Sequence, residues 1–160
     1  VKALKAASVQ VSVIAPRSGQ IQGMNHHETG DMIGVDHDLA SVSAERFDAL
    51  VLPGGVGNPD TLRTIPAAVA FVRHFVQVNT PIAAICHEPL TLIEADVVRG
   101  HRMTSWPSLR TDLKNAGAEW EDKPKVVDGR LVTSRKPDDL PDFCREMVAL
   151  FGALPAPQAA

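Results

Sequence analysis

Several features are scarce or missing in this 160-residue chain, and each absence removes a class of function. There are only two cysteines, Cys86 and Cys144, too few for a disulfide framework and not spaced as a zinc site. Positive charge is not in excess. Lys and Arg number 16 against 19 Asp and Glu, a formal net charge of −3. A protein that grips nucleic acid or an anionic membrane surface carries a basic patch, so neither is expected as a partner. No run of like charge marks an interaction tail. No apolar run is long, and the stretch from Ile82 to Cys86 falls far short of the ~20 residues that span a bilayer. No charged-then-apolar leader, lipidation signal or internal repeat is visible. A soluble, cytoplasmic protein is expected.

What is present reads as an ordinary globular chain, 44% apolar and 22% charged, and long enough to bury a real core. Val1 to Ala7 is helix-like. Val9, Val11, Val13 and Ile14 predict a β-branched strand. Gly19 to Asp38 reads as a polar loop with a short strand near Met32 to Val35. Phe47 to Leu52 predicts a buried strand running into the sharp turn Pro53-Gly54-Gly55. Pro66 suits a first helical turn, and Val69, Val72, Phe75 and Val76 follow helical spacing up to Asn79. Pro81 to Cys86 is a short apolar strand of the kind buried on both faces of a parallel sheet. A helix over Pro89 to Ala95, a strand at Arg102 to Thr104, and a helix from Leu109 to Ala116 with Gly117 beyond it follow. Val126 to Val132 reads as a hairpin about Asp128-Gly129. Asp139 can cap a last helix whose core face holds Leu140, Phe143, Met147, Val148 and Phe151. Strands alternating with helices imply an α/β fold with a mostly parallel sheet covered on both faces. One domain over residues 1–154 is expected, with a flexible tail over 155–160.

Ligands in such folds sit beyond the carboxyl ends of the strands, and two of those ends carry suggestive residues. At Cys86-His87-Glu88-Pro89 a strand passes into a helix. A thiol there is lifted above the sheet, near a helix start whose N–H groups favour the thiolate and can serve an oxyanion. The plainer alternative is a buried cysteine closing a core strand. His87 could polarise that thiol if the turn bends its ring back, or be a bystander. Gly54 and Gly55 could bring backbone N–H donors close to a ligand, or form an ordinary tight turn. No Gly-Lys-Ser/Thr ending follows them, so they are not a phosphate loop. Trp106, in Thr104-Ser105-Trp106-Pro107-Ser108, could line a pocket or simply pack. Cys144 lies mid-helix beside core positions and reads as structural. His26, His27, Glu28, Asp31, Asp36 and His37 crowd one loop, but their spacing fits no metal motif and a solvated loop is favoured.

With these residues assembled, the chain strongly resembles the PfpI family, within the ThiJ/PfpI group of class I glutamine-amidotransferase-like folds. The matching stretches are Phe47 to Gly55, Pro81 to His87, Arg99 to Ser105, Asn115 to Trp120, Leu131 to Arg135 and Pro137 to Pro141. The resemblance implies a flavodoxin-like three-layer sandwich and no cofactor. It matches Cys86 to the nucleophile, His87 to the catalytic histidine, and Gly55 and His87 to the backbone oxyanion donors. In peptidase members a carboxylate from a neighbouring subunit completes the site, and Asp60 is its match, which implies a homodimer or homohexamer. Two departures stand out. Glu88 replaces the usual Gly, where its carboxylate could crowd the turn, supply an acid or base, or disfavour the thiolate by like charge. Members also begin with a central strand ending in a Glu that bonds the cysteine sulfur. No residue here matches it, so about twenty more residues are expected upstream.

The resemblance further implies a stress-related cysteine hydrolase or lyase. Members are described as intracellular peptidases, deglycases and cofactor-free glyoxalases, with small carbonyl compounds, glycated adducts or peptides as substrates. Two other readings stay open. One is a redox sensor acting through Cys86 oxidation, and the other is a non-catalytic interaction protein with a vestigial site.

Overall fold

The computed structural model describes residues 1–25 and 28–153. Its elements in chain order are α1 (Lys2–Ala6), β1 (Ile14–Ala15), β2 (Gly19–Asn25), β3 (Glu28–Val35), β4 (His37–Asp38), β5 (Leu50–Leu52), α2 (Gly57–Leu62), α3 (Pro66–Gln77), β6 (Ile82–Ile85), α4 (Pro89–Glu94), β7 (Arg102–Met103), α5 (Arg110–Asn115), β8 (Glu119–Trp120), β9 (Lys125–Asp128), β10 (Leu131–Ser134) and α6 (Leu140–Gly152). A four-stranded sheet runs in the order β5-β6-β10-β9. β6 pairs parallel with both β5 and β10, and β9 closes the sheet antiparallel. The pairs β1–β4, β2–β3 and β7–β8 stand beside it.

Side-chain alternation on β6 produces the layers. Ile82 and Ala84 face one cluster with Leu52 of β5 and Val72, Phe75, Leu92 and Leu113 from α3, α4 and α5. Ala83 and Ile85 face the other, with Leu4 of α1 and Phe143, Met147 and Phe151 of α6. A strand buried on both sides has no polar face, which is why this run is wholly apolar. Each large side chain fully buried in these layers contributes about 1.5–3 kcal/mol. The result is the expected α/β sandwich with helices on both faces.

Four helices end the same way. After α1, α3, α4 and α5, a residue at positive φ (Ser8, Asn79, Asp96, Gly117) turns the chain back. The next N–H then reaches a carbonyl five residues earlier, as from Thr80 to Phe75 at 2.8 Å and Ala118 to Leu113 at 2.9 Å. This satisfies orphan carbonyls at the helix end, and it explains why Asn79 and Gly117 are legible as stops.

Several expectations need correction. The polar segment after Gly19 is an antiparallel ribbon, β2–β3, with a bulge between Gln22 and Met24. It is exposed along almost all of β3, so no core-facing alternation marks it. Of the strand expected from Val9, only Ile14–Ala15 pairs as a strand. Just before it, the Val13 N–H donates to the Asp36 carboxylate (2.7 Å), and its carbonyl accepts from the Asp36 N–H. Residues 107–109 form a 3-10 turn, so α5 starts at Arg110 rather than Leu109. The β9–β10 turn is centred on Gly129 and Arg130, because Asp128 already pairs with Leu131. Asp139 does not cap α6. Its carboxylate accepts from Arg135 Nε (2.9 Å) and Nη2 (3.2 Å). Leu140 is 42% exposed, outside the sheet-facing stripe. His26, His27 and the tail over 155–160 lie outside the described residues.

Candidate active site

Cys86 follows directly on β6 with φ +68°, the left-handed region that a non-glycine residue enters only at a cost of about 1–3 kcal/mol. Two backbone bonds hold it there. Its N–H donates to the Ser134 carbonyl at the end of β10 (3.0 Å), and its carbonyl accepts from the Trp106 N–H (2.9 Å). Cys86 is thus tied to the neighbouring strand and to the loop after β7.

The turn does bend the His87 ring back. Cys86 Sγ and His87 Nδ1 are 3.2 Å apart, and the Ser108 Oγ lies 3.5 Å from Nε2 on the other side of the ring. Partial burial holds the His87 imidazole below its ordinary 6.5, which favours the neutral ring. A neutral ring whose Nε2 carries the proton, facing Ser108, presents Nδ1 to the thiol as an acceptor. Trp106 stacks on the ring, with centroids 5.7 Å apart and 25° between planes. Its own segment is braced by Ser105, whose Oγ donates to the Trp106 carbonyl (2.9 Å) and accepts from Trp120 Nε1 (3.0 Å).

The Pro53-Gly54-Gly55 turn lies against the cysteine. A Cβ at Gly54 would stand 2.8 Å from the Cys86 Cβ and 3.3 Å from the Ile85 carbonyl oxygen, so only glycine fits. Gly55 has φ +101°. Neither its N–H nor that of His87 donates to another group among the described residues. Two unengaged N–H groups beside a thiol–imidazole pair are the donors that an oxyanion requires.

Glu88 is completely buried. Its carboxyl accepts from Asn58 Nδ2 and, at 3.2 Å, from the Thr91 hydroxyl; Cys86 is not among its partners. Burial pushes its pKa up to about 7, and the Thr91 and Asn58 hydrogen bonds oppose that shift. Asp60, in the first turn of α2, is exposed and has no bond to Cys86 or His87 among the described residues. Cys144 sits half-buried on α6 against the second core layer, and both cysteines are free thiols.

Cys86, His87, Gly54, Gly55 and Trp106 therefore come together. Ser134, Ser108, Asn58 and Trp120 were not read from the sequence as parts of the site. Ser108 alone had a signal, in the segment that ends Trp106-Pro107-Ser108. The described helices include none long and apolar enough to cross a membrane.

The family model described as DJ-1/PfpI matches residues 1–150. Protein/nucleic acid deglycase 2 of Escherichia coli is 49% identical over 122 residues, covering 76% of this chain and 70% of that protein. A deglycase of Pyrococcus horikoshii is 42% identical over 148 residues, covering 92% of this chain and 86% of its own length. Among solved structures, a two-domain protein of Anabaena variabilis with DJ-1/ThiJ/PfpI-like and ferritin-like domains superposes with a TM-score of 0.86 at 35% identity. It covers 99% of this chain, which spans 46% of that protein. A family match over nearly the whole length, joined to relatives this similar over most of both sequences, places the chain in the DJ-1/PfpI family.

Proposed function

We propose that the protein is a cysteine-dependent deglycase that frees amines and thiols from glyoxal-type adducts, with Cys86 as nucleophile and His87 as proton shuttle. The observation that carries this reading is the 3.2 Å Cys86–His87 pair on a strained turn beside the Gly55 and His87 N–H groups. The deglycase names of two relatives support the substrate class.

The chemistry balances without an external oxidant. His87 Nδ1 takes the Cys86 proton, and the sulfur attacks the adduct carbon that bears the amine or thiol. The C–N or C–S bond breaks, and the leaving group departs with the His87 proton. The substrate's dicarbonyl-derived unit is now joined to Sγ as a hemithioacetal. A proton moves from the sulfur-bearing carbon to its carbonyl neighbour and the hydroxyl proton passes to the neighbour's oxygen, oxidising the first carbon and reducing the second, to give a thioester. Water hydrolyses the thioester to a 2-hydroxy acid and restores the thiol. The backbone N–H groups support each oxyanion. A peptide amide would use the same attack and the same donors, so peptidase activity is the competing outcome. In this reading Asp60 completes a second copy's site in a homodimer or homohexamer.

The test is release of free lysine derivative and lactate from a methylglyoxal adduct, assayed beside cleavage of a peptide amide, for the protein and for Cys86→Ala. Adduct turnover that disappears in the variant is the expected result. Peptide cleavage alone would replace deglycase by peptidase. Equal rates in the two proteins would remove Cys86 from the mechanism.

A further inference from the structure

Glu88 is a puzzle of cost. A carboxyl with no solvent exposure loses its hydration, and nothing requires a charge-bearing side chain simply to fill space at a helix start. Its two oxygens are both engaged, one by Asn58 Nδ2 and the other by the Thr91 hydroxyl. Thr91 lies on α4, one turn beyond Glu88, so that bond stays within the nucleophile's own segment. Asn58 lies on α2, beyond the glycine turn. The Asn58 amide has two hydrogens, and the second goes to the Pro53 carbonyl at 3.2 Å. One side-chain amide therefore closes the loop from Pro53 to Asn58 upon itself and ties it to the segment that carries Cys86.

That loop has little else to hold it in place. Gly55 lies at φ +101° with no heavy atom within 4 Å of where a Cβ would stand, so no neighbour packs on that side of it. On the other flank Gly54 is pressed against the Cys86 Cβ.

We propose that Glu88 is a positioning residue: its buried carboxyl orients the Asn58 amide, and that amide holds the glycine turn so that the Gly55 N–H faces the reacting oxygen. The inference rests on the proposed use of Cys86 as nucleophile. It also makes a structural claim that can be read without turnover.

The experiment uses the full chain with Glu88→Ala, Glu88→Gln, Asn58→Ala and the Glu88→Ala/Asn58→Ala double variant. Removing one oxyanion donor outright costs about 100–1,000-fold in kcat, and a displaced donor is expected to cost about tenfold or more. Glu88→Ala and Asn58→Ala should each lower kcat on the methylglyoxal adduct by about that factor with KM within about threefold. The double variant should be no slower than either single variant. Amide hydrogen exchange at Gly55 to Gly57 should accelerate in all three. Glu88→Gln keeps an acceptor for Asn58 and should restore both readouts. Asn58 is at the surface, so Asn58→Ala tests the clip even if Glu88→Ala fails to fold. If Glu88→Gln is as slow as Glu88→Ala with exchange unchanged, Glu88 is an acid–base group and the positioning role is wrong. Wild-type kcat and exchange in Asn58→Ala would also overturn it. If the wild type turns over no adduct, the proposed reaction fails, and the exchange result alone decides the clip.

Discussion

The two cysteines show how much of reactivity is position. Both are free and half-buried. Cys144 sits in regular helix on α6 with apolar neighbours from the second core layer. Cys86 sits at φ +68° with an imidazole nitrogen 3.2 Å from its sulfur and a glycine turn against its Cβ. Among the described residues, the helical thiol has no hydrogen-bonding base or donor beside it. The turn thiol has both, and the strain of its backbone is maintained by bonds to Ser134 and Trp106. The contrast teaches that a cysteine becomes a candidate nucleophile through what neighbouring elements hold near it.

The sharpest way to break the comparison is to remove each thiol. Cys86→Ala should bring adduct turnover to background, whereas Cys144→Ala should leave it within about twofold and cost about 1 kcal/mol of stability. Mass spectrometry after brief iodoacetamide treatment should find the label on Cys86 first. Next in size is His87→Gln, expected to lower kcat about 100-fold by removing the proton acceptor. Because burial lowers the His87 pKa, wild-type activity should persist below pH 6.5 and fall only as the ring protonates; that acid limb should vanish in the variant. Gly54→Ala comes third. Its Cβ meets Cys86 at 2.8 Å, so about 1–3 kcal/mol of stability and about tenfold in kcat should be lost, read by thermal melts and steady-state kinetics. The last effect leaves the rate aside and is on stability alone. The folded chain holds the Glu88 proton more tightly than the unfolded chain. Wild-type stability therefore falls as pH rises from below 4.5 through about 7, by about 3 kcal/mol at most. Glu88→Gln should melt higher than wild type at pH 8, and the gap should close by pH 4.

The sequence made the centre of the fold legible for a physical reason. The β6 run is apolar on both faces because both faces are covered, and Pro66, Asn79, Gly117 and Gly129 sit where the backbone requires them. The β2–β3 ribbon escaped notice because it buries almost nothing and so imposes no period on its residues. In the site, Cys86, His87 and the glycine pair could be read because each sits at a strand end, where local chemistry is visible. Asn58 and Trp120 could not, and Ser108 showed only as the end of the Trp106-Pro107-Ser108 segment, without its role. Their roles come from hydrogen bonds spanning 30, 15 and 21 residues, which no local pattern records. Glu88 was visible as an oddity, but its partners on α2 and α4 were not.

The stacked Trp106 has a practical consequence. It is one of only two tryptophans, it is 37% exposed, and its ring lies nearly parallel to the imidazole of His87. An indole in that position emits differently beside a neutral ring and beside a charged one, whereas Trp120 donates to Ser105 and lies under the Arg110 guanidinium. The protein therefore carries its own optical probe of the proton on His87, which a Trp120→Phe variant would isolate for following each proton transfer in real time.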